Sequence, residues 1–224
     1  MKRIIYHGSE QCLETPFWGG GKPYNDYGQG FYCTTEKSMA AEWAVGKLHD
    51  GWVNQYEIDC EGLSLLDLNE QCFCLLHWLT ILLENRTFDL SYALAQEARE
   101  YLLANYSVDY QSYDLMVGYR ADDSYFSFAQ DFLSGAISYQ QLAVAMHLGK
   151  MGNQFVLKSK KAFEHIHFVG AEKASRDKWF PMRERRDCAA RQQYFSSRRQ
   201  RHPGDLFILQ ILDEEILPDD PRLR

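Results

Sequence analysis

The sequence predicts an α+β fold built on a small, predominantly antiparallel pair of sheets. Its strand-like segments fall into two groups separated by helical ones, and the regular strand–helix alternation of a doubly wound parallel sheet is missing. One domain, with or without an appendage, is expected of 224 residues that are 46% apolar and 14% aromatic, enough to bury a substantial core.

Ile4-Ile5-Tyr6 reads as a short strand ending at His7. The stretch to Gly28, dominated by Gly, Pro and polar residues, reads as a long functional loop. Gly30–Thr34 offers a second strand, and Thr34 or Thr35 can cap a helix from Glu36 to about Leu48. Val53–Ile58 alternates like a half-buried strand, and Leu63–Leu68 is a candidate for another. Asn69–Asn85 and Ser91–Asn105 carry apolar residues at three- and four-residue spacing and read as two helices, an all-helical insertion at about 69–107. Asp114–Gly118 returns to strand, Tyr125–Leu133 and Tyr139–Leu148 read as helices, and Gln154–Leu157 and Ile166–Val169 as strands. From Glu172 to Arg201 mostly helix is expected, interrupted at Pro181, then an apolar element over Leu206–Leu212 and a Pro-rich terminus.

Composition narrows the function classes. The longest apolar stretch, in Cys74–Leu83, falls far short of a membrane span, and the basic start lacks the apolar run of a secretory signal. Six cysteines without a CxxC pair or repeated spacing resemble buried side chains or free thiols, so a cytoplasmic setting is expected, with no structural metal and no membrane partner. The formal charge of −7 is asymmetric: residues 173–201 hold ten Lys/Arg against three Asp/Glu, net +7, leaving −14 elsewhere. Gly28-Gln29-Gly30 precedes a strand and does not link a strand to a helix, which argues against a Rossmann fingerprint.

Three segments can carry chemistry. Gly8 after His7 allows a ligand close to the backbone, and Ser9 supplies a hydroxyl; the plain alternative is a strand-end histidine satisfied by neighbouring backbone. Alternation sends Phe31 and Tyr32 to opposite faces, so one enters the core while the other faces a cleft. Trp43, on the following helix, either pairs with Tyr32 to sandwich a flat ring or belongs to an apolar stripe with Ala40 and Ala44.

Tyr6-His7-Gly8-Ser9, Asp26–Thr35 and Ala41-Glu42-Trp43-Ala44 resemble the blocks of an uncharacterised bacterial domain family grouped with the His-Tyr-Glu/Gln branch of the ADP-ribosyltransferase superfamily. Asp114–Gly118 with Arg120-Ala121-Asp122-Asp123, Asn153–Leu157 and Lys161-Ala162-Phe163 resemble its later blocks, so most of residues 4–170 is covered. Gly204–Ile208 and Pro218–Leu223 also resemble an extension found in some members. The resemblance implies a split antiparallel β-sandwich with a helical insertion over residues 1–170, and a basic C-terminal extension over 171–224. It implies an NAD-dependent mono-ADP-ribosyltransferase in which His7 holds a ribose, Gly8 and Ser9 approach the nicotinamide side, and Tyr32 stacks on nicotinamide. Trp43 matches the place of a second clamping aromatic, and Tyr27, Gly30 and Thr34 belong to the same cofactor-binding block. A Glu on a late strand is usual in active transferases, to bind a ribose hydroxyl and stabilise the charge that develops as nicotinamide leaves. Here Gln154 takes that place, which keeps the hydroxyl acceptor and removes the charge. The alternative is a non-catalytic binder of NAD, ADP-ribose or a nucleic-acid end. A toxin or phage-defence setting and an antitoxin partner are further implications.

Asp122 and Asp123 are expected at the site, at an acceptor, or in an ion pair. The basic segment, with Arg183, Arg185 and Arg186 in one cluster and Arg198, Arg199 and Arg201 in another, either docks a polyanionic acceptor or pairs with the acidic body of the same molecule. In the first case Tyr194 and Phe195 are placed to stack on bases.

Overall fold

The computed structural model describes residues 1–121, 123–150 and 152–224, with the backbone alone for Asp123, Ser124 and Lys150. Two sheets face each other. The first has the order β1 (Lys2–Ser9), β3 (Gly51–Asp59), β7 (Ile166–Ala174), antiparallel throughout. The second has the order β2 (Phe31–Cys33), β6 (Gln154–Leu157), β5 (Leu115–Gly118), β4 (Leu65–Asp67), with β4 and β5 parallel. That parallel pair follows from the long crossover between its strands, which a hairpin cannot replace. A pair of backbone hydrogen bonds between Tyr6 and Thr34, 2.8 and 2.9 Å, stitches the sheets together.

Ile5, Phe31, Cys33, Tyr56, Ile58, Phe155 and Leu157 fill the space between the sheets. Most of the apolar interior lies beyond β4, β5 and β6. There α2 (Leu75–Asn85), α3 (Ala93–Asn105), α4 (Asp123–Leu133) and α5 (Tyr139–Met146) share one cluster with Leu66, Met116 and Val156 of the sheet. The two helices expected as an insertion are therefore half of a helical layer with the sheet as its floor. The C-terminal extension enters the same layer through Tyr194 of α7 (Arg176–Ser197), Ile208 and Ile211 of α8 (Ile208–Asp213), and Leu223. A five-residue helix, α6 (Lys160–Glu164), connects β6 to β7. No described helix is long and apolar enough to cross a membrane.

α1 (Lys37–Ala44) packs on the outer face of the first sheet, where Ala40, Ala41 and Ala44 meet Val53 and Ala174. It stops short of Leu48 because Val45 is extended and the Gly46 N–H turns to the His49 carbonyl. Alternation along β1 sends Ile5 and His7 between the sheets, and Tyr6 and Gly8 outward. A Cβ on Gly8 would lie 2.0 Å from the Ala40 carbonyl oxygen and 2.8 Å from the Ala44 nitrogen. Gly8 thus admits helix backbone on the side where a Cβ would stand. Gly8→Ala is expected to cost about 1–3 kcal/mol, read as a lower urea midpoint; an unchanged midpoint would mean that α1 gives way freely.

Two further departures from expectation have a plain physical reason. Residues 172–174 extend β7 because Glu172, Lys173 and Ala174 find partners in Val53, Trp52 and Gly51, and sheet pairing overrides a helix-compatible sequence. Pro181 does not interrupt α7. The carbonyl it leaves without an N–H partner belongs to Asp177, an exposed residue in the first turn of the helix, where the loss of one bond costs least.

Candidate functional site

A cleft of about 410 Å³ opens where β1, β2, α1 and β6 meet. His7, Gly30, Tyr32, Trp43 and Gln154 all line it, so residues spread across the chain converge on one cavity. Phe17, Gly20, Gly21 and Asn25 of the expected long loop also line it, together with Phe31, Phe163, Asp26, Arg86 and Arg120.

Each polar group has a defined state. His7 Nδ1 lies 2.7 Å from the Tyr32 carbonyl oxygen, and the imidazole ring sits 4.4 Å from that of Phe31. A carbonyl only accepts, so Nδ1 carries the proton and Nε2 of the neutral ring is an acceptor. Burial pushes the His7 pKa below its ordinary value and favours that neutral form. The Tyr32 hydroxyl donates to the Gly28 carbonyl at 2.6 Å and accepts from the Tyr27 N–H at 3.0 Å. The phenol therefore braces its own loop, and the ring face is what it offers a ligand. Burial raises its pKa, so it stays protonated.

Gln154 and Asp26 are each only 5% exposed. The Gln154 Nε2 donates to Asp26 Oδ2 at 2.9 Å, and its Oε1 has no hydrogen-bond partner among the described residues. Asp26 also accepts from the Ala121 N–H at 2.9 Å and from Arg86 Nη1 at 2.8 Å. Burial dominates and raises the Asp26 pKa above its ordinary value, although the Ala121 N–H, Arg86, Gln154 and Arg120 pull it down in part. The Arg120 guanidinium lies over the Trp43 indole, 3.3 Å from the ring centroid. One face of Trp43 is therefore covered by a cation, which leaves only the other face for a flat ring.

Other expected residues lie elsewhere. Tyr27 is fully buried in the helical layer, with its hydroxyl donating to the Tyr119 carbonyl, and does not line the cleft. Ser9 accepts from Asn54 Nδ2 at 2.8 Å and donates to the Gln11 carbonyl, also outside the lining. Thr34 is buried and receives the Glu36 N–H at the start of α1. Asp122 and the Asp123 side chain lie outside the described residues. Among the described residues no cluster of three His, Cys, Asp or Glu is placed to hold a metal.

The basic segment divides. Arg186 makes a buried pair with Glu42 at 2.8 Å, and Arg183 caps the carbonyls of Glu42 and Val45 at the end of α1. Arg198 pairs with Asp131 at 3.2 Å. Tyr194 is buried against Phe128, ring centroids 3.9 Å apart, and donates to Asp131, so it is not available to stack on a base. Arg199 and Arg201 are exposed, Arg201 beside the Phe207 ring, and Phe195 is exposed too.

Asp26 and Arg86 were missed by sequence reasoning as site residues. Asp26 stands inside the block that signals Tyr32, the one hint it offered; Arg86 follows α2 and carries no local signal. Residues 3–168 match a family described as a protein of unknown function (DUF3990). The chain belongs to that family. No curated protein and no solved structure matches it. The match ends inside β7, so α7 and α8 lie beyond the matched segment.

Proposed function

We propose that the chain is an NAD-dependent ADP-ribosyltransferase, with the split-sandwich architecture of that superfamily. One observation carries the reading: a single cleft is lined by His7, whose Nε2 is a free acceptor, by Gln154, whose buried Oε1 has no partner among the described residues, and by two guanidiniums and aromatic walls. Vicinal hydroxyls, a diphosphate and flat rings are the complementary groups, and a dinucleotide has all three. In the reaction the bond between nicotinamide nitrogen and ribose C1′ breaks, nicotinamide leaves neutral, and C1′ takes an acceptor nucleophile or water, whose proton is released. A positioned ring at Tyr32 holds the leaving group, and the hydroxyl acceptors hold the ribose.

The test is release of nicotinamide from NAD by purified protein, with a lysate screen using labelled NAD to reveal the acceptor. NAD bound without release would support the second reading, a binding module, which the uncharged Gln154 favours. A toxin or phage-defence role, with an antitoxin partner, belongs to the same proposal and rests on the family resemblance.

For the acceptor, the exposed Arg199 and Arg201 are the cations of the last cluster free of the Asp131 pair. If they meet nucleic-acid phosphates, replacing both by Glu lowers acceptor modification, leaves hydrolysis of free NAD unchanged and flattens the salt dependence by about 0.7–0.9 per lost contact. Equal modification by variant and wild type at low salt would remove nucleic acid docking from these two residues.

A further inference from the structure

Gln154 is buried, yet one of its polar atoms has no partner, and the other meets a carboxylate. The amide orientation is set by chemistry: an ionised carboxylate only accepts, so the NH₂ must face Asp26 and the carbonyl must face away. Asp26 in turn receives three donors, from Arg86, the Ala121 backbone and Gln154. All three groups donate and one of them is a guanidinium at 2.8 Å, an arrangement that favours the ionised form against the burial that opposes it.

We propose that Asp26 is the positioning residue of the cleft: it fixes the Gln154 amide so that Oε1 meets a ligand hydroxyl, and carries the negative charge that position 154 lacks. The proposal rests on the cleft being the NAD site. It also explains the residue at 154. A glutamate there would set two carboxylates at roughly the 2.9 Å now spanned by the hydrogen bond from the Gln154 amide, and one of them would have to hold a proton. With Asp26 in place, an amide at position 154 satisfies the carboxylate and keeps its own carbonyl oxygen for the ligand.

The experiment exchanges the charge. Asp26→Asn, Gln154→Glu and the double variant are compared by nicotinamide release, as kcat and KM for NAD, between pH 5.5 and about 8.5. Asp26→Asn is expected to lose about 100-fold in kcat with a small change in KM. Gln154→Glu acquires one ionisation above the ordinary carboxylate range, because its two carboxyls share a proton in the presence of Arg86, Arg120, Tyr27 and Tyr32, the charged and titratable groups around them. The double variant returns to within about tenfold of wild type and loses that ionisation. Wild-type kcat in Asp26→Asn, or a double variant no better than Asp26→Asn, overturns the proposal. If Asp26→Asn does not fold, the Gln154→Glu profile decides: no new ionisation overturns it.

A second readout needs no turnover. In ¹⁵N-labelled protein the Gln154 side-chain NH₂ is expected to be protected from solvent exchange, and to lose protection in Asp26→Asn. If wild type neither binds nor cleaves NAD, the transferase reading falls; rapid exchange of that NH₂ in wild type removes the Asp26 assignment itself.

Discussion

Tyr32→Ala protein releases nicotinamide at about one hundredth of the wild-type rate or less, while Tyr32→Phe keeps roughly a tenth. The alanine variant removes the ring that holds the leaving group, and misplacement by an ångström costs about that factor. The phenylalanine variant keeps the ring and loses only the hydroxyl, which braces Gly28 and Tyr27. Leaving the buried Tyr27 N–H without its acceptor costs about 1–3 kcal/mol, and loosens the loop that carries Asp26. Steady-state nicotinamide release, measured beside a thermal melt, separates the two effects. A Tyr32→Ala enzyme that melts like wild type and turns over at the wild-type rate would remove Tyr32 from the chemistry and leave it a loop brace.

The largest stability effect is expected at Glu42. Its side chain is 9% exposed and its carboxylate receives Arg186, 144 residues away in sequence. Removing one partner leaves the other charge buried, so Glu42→Ala is expected to cost about 3 kcal/mol in urea unfolding. Arg186 keeps Asp187 at 3.2 Å, which holds the loss at the lower end of the usual range. Glu42→Leu combined with Arg186→Met removes both charges and is expected to recover most of the loss. A Glu42→Ala midpoint within about 0.5 kcal/mol of wild type would mean that water reaches the pair. Because Trp43 follows Glu42 on α1 and lines the cleft, the single variant is also expected to weaken NAD binding, whereas the double variant restores it.

Local pattern made part of this molecule legible. The alternation that separates Phe31 from Tyr32 is a property of any strand, and it placed Phe31 in the core between the sheets and Tyr32 on the opposite side. The periodicity of Leu76, Leu79 and Leu83 likewise marked α2. What escaped were facts of assembly. Gly8 looks the same whether or not α1 packs on it, and only the position of Ala40 shows that it does. Nothing near Arg86 announces that it will meet Asp26, 60 residues earlier. The basic segment could be read from charge alone as a polyanion surface or as an internal strap, and the difference rests on which arginines find Glu42 and Asp131. β7 ran past its expected end for the same reason, since the partners of its last residues belong to β3.

The Glu42–Arg186 pair ties a position inside the family segment to one beyond it. A lineage that loses the guanidinium must therefore lose the carboxylate as well, because a lone buried charge is the costly intermediate. Positions 42 and 186 are expected to covary, acid with base or apolar with apolar, and a member without α7 should carry an uncharged residue at the equivalent of Glu42.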